Sequence, residues 1–70
     1  MALSILRARR LILGIKMKIM AETIGMSPTS LHRLENGTFP LANVPHEWRE
    51  RIEQMHNGCK LEYLVEFLHL

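Results

Sequence analysis

Residues 17–36, Met-Lys-Ile-Met-Ala-Glu-Thr-Ile-Gly-Met-Ser-Pro-Thr-Ser-Leu-His-Arg-Leu-Glu-Asn, hold two short helical patterns on either side of a turn. Met17, Met20, Ala21 and Ile24 recur at i, i+3, i+4 and i+7, which puts them on one face of a helix. Gly25 follows, the residue type that most easily takes the left-handed conformation ending a helix. Ser27 then offers a side-chain oxygen to cap a second helix. Pro28 fits the first turn of that helix, where its missing N–H leaves no bond unmade. Leu31 and Leu34 mark the buried face, and Asn36-Gly37 stop the helix. The small Ala21 suits a close crossing of the two. Two short helices crossing this way are a helix-turn-helix, whose second helix fits the major groove of DNA.

Working outward, Leu3, Leu6, Arg10 and Leu13 recur at helical spacing, with Gly14 able to close a first helix. Residues 37–44 read as a loop containing Pro40. Asn43 is the expected cap of a fourth helix, with Pro45 in its first turn and Trp48, Ile52 and Met55 on its inner stripe. Asn57-Gly58 end it, and a fifth helix is expected from about Cys59 to the end. There is no repeat and no strand-like alternation. The expected fold class is all-α, a compact five-helix bundle forming one domain over 1–70.

Seventy residues give little core, so added stability commonly comes from association. One cysteine, Cys59, allows no internal disulfide, which suits a reducing cytosol. No apolar run approaches the roughly 20 residues a membrane span needs. Met1 to Ser4 lead straight into a helical pattern, with no sign of a cleaved signal peptide. A cytoplasmic location away from membranes is expected. His32, His46, His56 and His69 are scattered, and none pairs with Cys59 at a zinc spacing. No Gly-rich phosphate loop or catalytic carboxylate pair stands out. The expectation is no metal, no cofactor and no enzymatic activity.

Charge is divided along the chain. Residues 1–33 hold six Lys or Arg against one acid, a net +5. Residues 34–70 hold three bases against six acids, a net −3. The basic half contains the helix-turn-helix, the footprint expected of a phosphate-binding face. Setting aside Leu31 and Leu34, the second helix of the motif turns Ser27, Pro28, Thr29, Ser30, His32 and Arg33 outward. Arg33 is the best candidate for reading a guanine, because a guanidinium matches O6 and N7 bidentately. His32 offers a donor to a base or phosphate, and Thr29 a hydroxyl and a methyl. Lys16 and Lys18 at the start of the preceding helix, with Arg7 and Arg9 on the outer side of the first, are candidate phosphate contacts. Ser30, at the start of the same helix, is a further candidate for the DNA backbone. Arg10 differs: it falls on the inward stripe, where a charge needs a partner. Glu35 is the expected partner, in an ion pair that locks the first helix to the third.

With these residues placed, residues 7–37 resemble the lambdoid phage repressor and Cro family, the XRE-type helix-turn-helix domains. The matching runs are Arg-x-x-Arg-x-x-x-Gly, then Met-Ala-x-x-Ile-Gly-Met-Ser, then Ser-Leu-x-x-Leu-Glu-Asn-Gly. The resemblance implies a lambda-repressor-like five-helix domain that dimerises on a two-fold DNA operator. It implies base contacts at Pro28, Thr29, His32 and Arg33, Ser27 near the backbone, and pairing of Arg10 with Glu35. Met17 stands where the family usually has a phosphate-contacting Gln, and Lys16 where it usually has a capping Ser, Thr or Asn. Pro28 has only apolar contact to offer. Residues 38–70 look unlike the usual family ending.

In the expected C-terminal helix, Leu61, Leu64, Val65 and Leu68 form one apolar stripe, and Tyr63, Phe67 and Leu70 a second. One stripe closes the core. The other is left exposed, as interfaces are, and Tyr63, Phe67 and Leu70 are expected in a two-fold homodimer. Two half-sites about 34 Å apart then multiply specificity. The function expected is a sequence-specific transcriptional regulator, a Cro-like repressor of a phage or mobile element on a palindromic operator. The alternative is a protein-binding module, such as an antitoxin whose acidic C-terminal half docks a basic partner.

Overall fold

Ser4 is where the chain passes from strand to helix. Its side-chain oxygen accepts a hydrogen bond from the Arg7 amide at 3.1 Å and so caps α1, Ile5–Leu13. The structure, a computed structural model, describes residues 2–69. Gly14, at φ +70°, closes α1 in the left-handed conformation. Then follow α2 (Met17–Ile24), α3 (Pro28–Glu35), α4 (His46–Met55) and α5 (Leu61–Leu64), with one 3-10 turn at Leu41–Asn43. β1 (Ala2–Ser4) and β2 (Phe67–His69) pair antiparallel, with Ala2 opposite His69, Leu3 opposite Leu68 and Ser4 opposite Phe67. Among the described residues the domain is therefore mostly helical, with five α-helices and a two-stranded sheet that joins residues 2–4 to 67–69.

The sheet corrects the all-α expectation and the long fifth helix. α5 is a single turn: Val65 and Glu66 donate back to Leu61 and Tyr63, and the chain then extends. Continuing as strand gives the residues of β1 a ladder partner, reinforced where the Ile5 amide donates to the Glu66 carbonyl at 2.8 Å. Leu61 and Leu64 are buried as expected of the inner stripe, but Leu68 is carried out with the strand and is exposed. Leu3 belongs to β1 rather than α1, and Leu13 is exposed because it lies beyond the reach of the core at the helix end. Asn43 does not cap α4. It sits in the 3-10 turn, and Pro45 holds the cap position, with no side-chain hydrogen bond there.

Leu6, Met20, Ala21, Ile24, Leu31, Leu34, Ile52, Leu61 and Leu64 are almost wholly buried and form one core drawn from α1 to α5. Ala21 has no exposed surface, so its methyl group is what the packing of α2 in the core accommodates. Two acidic side chains set the far end. Glu53 accepts from the Leu61 amide at 2.9 Å and caps α5, which has no cap of its own. Arg49 donates to Glu62 from Nη1 and Nη2, at 3.0 and 2.6 Å.

The α2–α3 connection is three residues, 25–27, and it is closed from outside. The Gly25 and Met26 amides both return to the Ala21 carbonyl, at 2.9 and 3.0 Å. The Ile24 carbonyl, left without a helical partner, accepts from Arg51 Nη1 of α4 at 2.9 Å. Gly25 has φ +92°, and a Cβ there would sit 2.6 Å from Arg51 Nη1. Gly25→Ala is expected to destabilise the fold by about 1–2 kcal/mol from the left-handed backbone alone. The urea midpoint checks this, and an unchanged midpoint would mean that the turn is not under this constraint.

Candidate functional site

α3 is anchored on one side and open on the other. Leu31 and Leu34 are buried, whereas Ser27, Pro28, Thr29, His32 and Arg33 are exposed and Ser30 is half-buried. Ser27 makes the cap: its Oγ accepts from the Ser30 amide at 3.1 Å while its hydroxyl donates to Ser30 Oγ at 2.9 Å. Both serine side chains are thus engaged with each other at the helix start, and the first-turn amides of α3 lie on the same end. Lys16 and Lys18 are exposed at the start of α2, and Arg7 is exposed on α1. The N-cap of α2 has no side-chain hydrogen bond, since Lys16 carries no acceptor.

Arg33 does not extend freely. Its guanidinium carbon lies 5.3 Å from the centroid of the Phe39 ring, and Nη2 donates to the Thr38 carbonyl at 3.3 Å. The residues after α3 are shaped to allow this. Asn36 Oδ1 accepts from both the Thr38 amide, at 3.1 Å, and the Thr38 hydroxyl, at 2.7 Å. The Thr38 amide also returns to the Arg33 carbonyl at 2.9 Å. Gly37 makes the reversal at φ +82°, under the edge of the Phe67 ring.

Arg10 and Glu35 meet as a buried bidentate pair. Nε donates to Oε2 at 2.7 Å, Nη2 donates to Oε1 at 3.1 Å, and Nη1 donates to the Ile15 carbonyl at 3.0 Å. The fork matches the carboxylate and ties α1 to the last turn of α3 and to the loop before α2.

Arg9 is half-buried on α1, and its Nε donates to His56 Nδ1, just past the end of α4, at 3.0 Å. Tyr63 is half exposed, but the Phe67 ring also covers Gly37, so part of it is committed within the chain. Leu70, expected with them at an interface, lies outside the described residues. Sequence reasoning missed Phe39, Arg51, Glu53 and His56. Arg51 and His56 act through contacts far along the chain, with Ile24 and Arg9, and Phe39 and Glu53 act across a loop, on Arg33 and the Leu61 amide, with no local motif to mark them.

His56 is fully buried, and its Nε2 has no hydrogen-bond partner. Since Nδ1 accepts from Arg9, the ring is neutral and carries its proton on Nε2. Burial, and then the Arg9 charge, lower its pKa below the usual histidine value, against a smaller opposing pull from Glu35. The unfolded chain therefore binds a proton at a pH where the folded one does not. Stability from this group is full above about pH 6.5 and declines as pH falls below that toward the folded value. Glu62, whose carboxyl the Arg49 hydrogen bond holds down at about 2, does not titrate in this window. Melting temperature is expected to fall between pH 7.5 and 5, with the slope reduced in His56→Leu. Equal slopes in the two proteins would remove His56 as the cause.

Among the described residues, no group of three or more His, Cys, Asp or Glu side chains is arranged to hold a metal ion. No helix is long and apolar enough to cross a membrane. Comparison of the chain with known protein families, with curated proteins and with solved structures returned no match.

Proposed function

We propose that this chain is a sequence-specific DNA-binding regulator, with α2 and α3 as its helix-turn-helix and α3 as the reading helix. The observation that carries the proposal is the exposed polar face of α3. Pro28, Thr29, His32 and Arg33 stand outward while Leu31 and Leu34 fix the helix to the core. Exposed Lys16 and Lys18 on the neighbouring α2, and Arg7 on α1, supply the positive charge for phosphates. Ser27 and Ser30 sit at the helix end that approaches the DNA backbone. The lambdoid repressor and Cro resemblance supports the same roles. On this reading it is a Cro-like repressor of a phage or mobile element, cytoplasmic, acting as a homodimer on a palindromic operator.

Tyr63 and Phe67 are the candidate dimer contacts. Exposed Leu68 beside them, and exposed Leu11, Ile12 and Leu13 at the end of α1, also favour a second reading, in which the chain docks a protein partner. Amide chemical-shift mapping with duplex DNA separates the two. Shifts confined to the start of α2 and to residues 27–33 support the DNA reading. Absence of any shift there, with perturbation of Tyr63 to His69 by a captured protein, favours the docking module. A monomer by sedimentation at tens of micromolar without DNA counts against the homodimer.

A further inference from the structure

We propose that Phe39 is a positioning residue for DNA recognition: its ring and the Thr38 carbonyl hold the Arg33 guanidinium ready, so discrimination at the base pair Arg33 reads depends on a residue in the following loop. The inference rests on the DNA reading and adds to it a residue that does not itself touch a base.

An arginine free in solvent samples many rotamers, and fixing it on a base costs that freedom at the moment of binding. Arg33 has been ordered beforehand. The ring attracts the cation through its π face, which engages the guanidinium from one side. The Thr38 carbonyl accepts one Nη2 hydrogen at 3.3 Å. A guanidinium has five N–H donors, so Nε, Nη1 and the second Nη2 hydrogen keep their capacity for the paired contact that a guanine edge requires.

The support is itself held in place. Phe39 is half-buried, and its ring meets Trp48 of α4 with centroids 6.1 Å apart at 53°. Thr38 is fixed by Asn36 Oδ1 and by the Arg33 carbonyl. A line of contacts therefore runs from α4 through Trp48 and Phe39 to the exposed face of α3.

The test uses the full chain and a duplex bearing its preferred site, with each base pair of the site varied in turn. Wild type, F39L, F39Y, R33A and the double variant R33A/F39L are compared, and the amide spectrum of each variant checks its fold. F39L is expected to bind the preferred site roughly three- to tenfold more weakly. The loss is expected only at the base pair that R33A identifies, with non-specific binding unchanged. F39Y, which keeps the ring, restores wild-type discrimination, and R33A/F39L binds no worse than R33A. If F39L melts below the working temperature, F39M takes its place. Equal weakening on every duplex, additive losses in the double variant, or full discrimination in F39L overturns the inference while leaving the DNA reading intact. A wild type that prefers no duplex, with R33A indistinguishable from it, overturns both.

Discussion

Arg10→Met is expected to destabilise the domain by about 3–5 kcal/mol, the largest effect of any single change considered for this chain. The substitution keeps most of the volume and removes the charge. Glu35, only 2% exposed, is then left as a buried carboxylate with neither of its two hydrogen bonds from Arg10. A domain of this size has roughly 4–10 kcal/mol in total, so the variant is expected to be close to unfolded at room temperature. The pair itself is not a large net source of stability, since desolvation opposes the attraction. Arg10→Met with Glu35→Leu is therefore expected to recover most of the loss. About 1 kcal/mol remains lost, because the Ile15 carbonyl no longer has its Nη1 donor. Urea unfolding of Arg10→Met, Glu35→Leu, Glu35→Gln and the double variant checks this. If Arg10→Met and Glu35→Gln both keep full stability, the pair does not lock α1 to α3.

Arg33→Ala is expected to cost about 1–3 kcal/mol of specific DNA affinity, roughly 5- to 150-fold, with discrimination lost at one base pair. Folding is expected to change little, because Arg33 is exposed, and there its contacts with the Phe39 ring and the Thr38 carbonyl order the side chain but add little to stability. The comparison that gives this result meaning is Lys16→Ala. A phosphate contact carries no sequence information, so its removal weakens all duplexes alike and lowers the salt slope by about one. Measuring both variants across duplexes and salt concentrations separates reading from steering. Uniform weakening by Arg33→Ala would reassign that residue to the backbone.

The parts of the fold that were legible in the sequence share a property: their signals are local. Ser27 and Gly25 sit immediately beside the helix ends they define, and Met20, Ala21 and Ile24 show their burial by spacing alone. Arg10 was legible for a related reason, since a charge within an apolar stripe is an anomaly that demands a partner. The β1–β2 pairing was not legible. Each strand is three residues long, too short for alternation to register, and its partner lies at the opposite end of the chain. Leu3 and Leu68 match helical spacing by coincidence of a short window, so spacing alone places both in helices. The site divides in the same way. The outward face of α3 follows from where Leu31 and Leu34 fall. That Arg9 turns to His56 depends on how a distant segment folds against α1, and that Arg33 rests on Phe39 depends on the reversal at residues 36–38, whose shape no periodicity encodes.

The most direct test of sequence-specific DNA binding is selection of bound sequences from random duplexes at near-physiological salt. An enriched inverted repeat, with half-sites spaced by about one helical turn, is the predicted result and would supply the operator. Weak, salt-sensitive binding with no enriched sequence would contradict the DNA-reading role of α3 and shift attention to a protein partner for the exposed apolar residues.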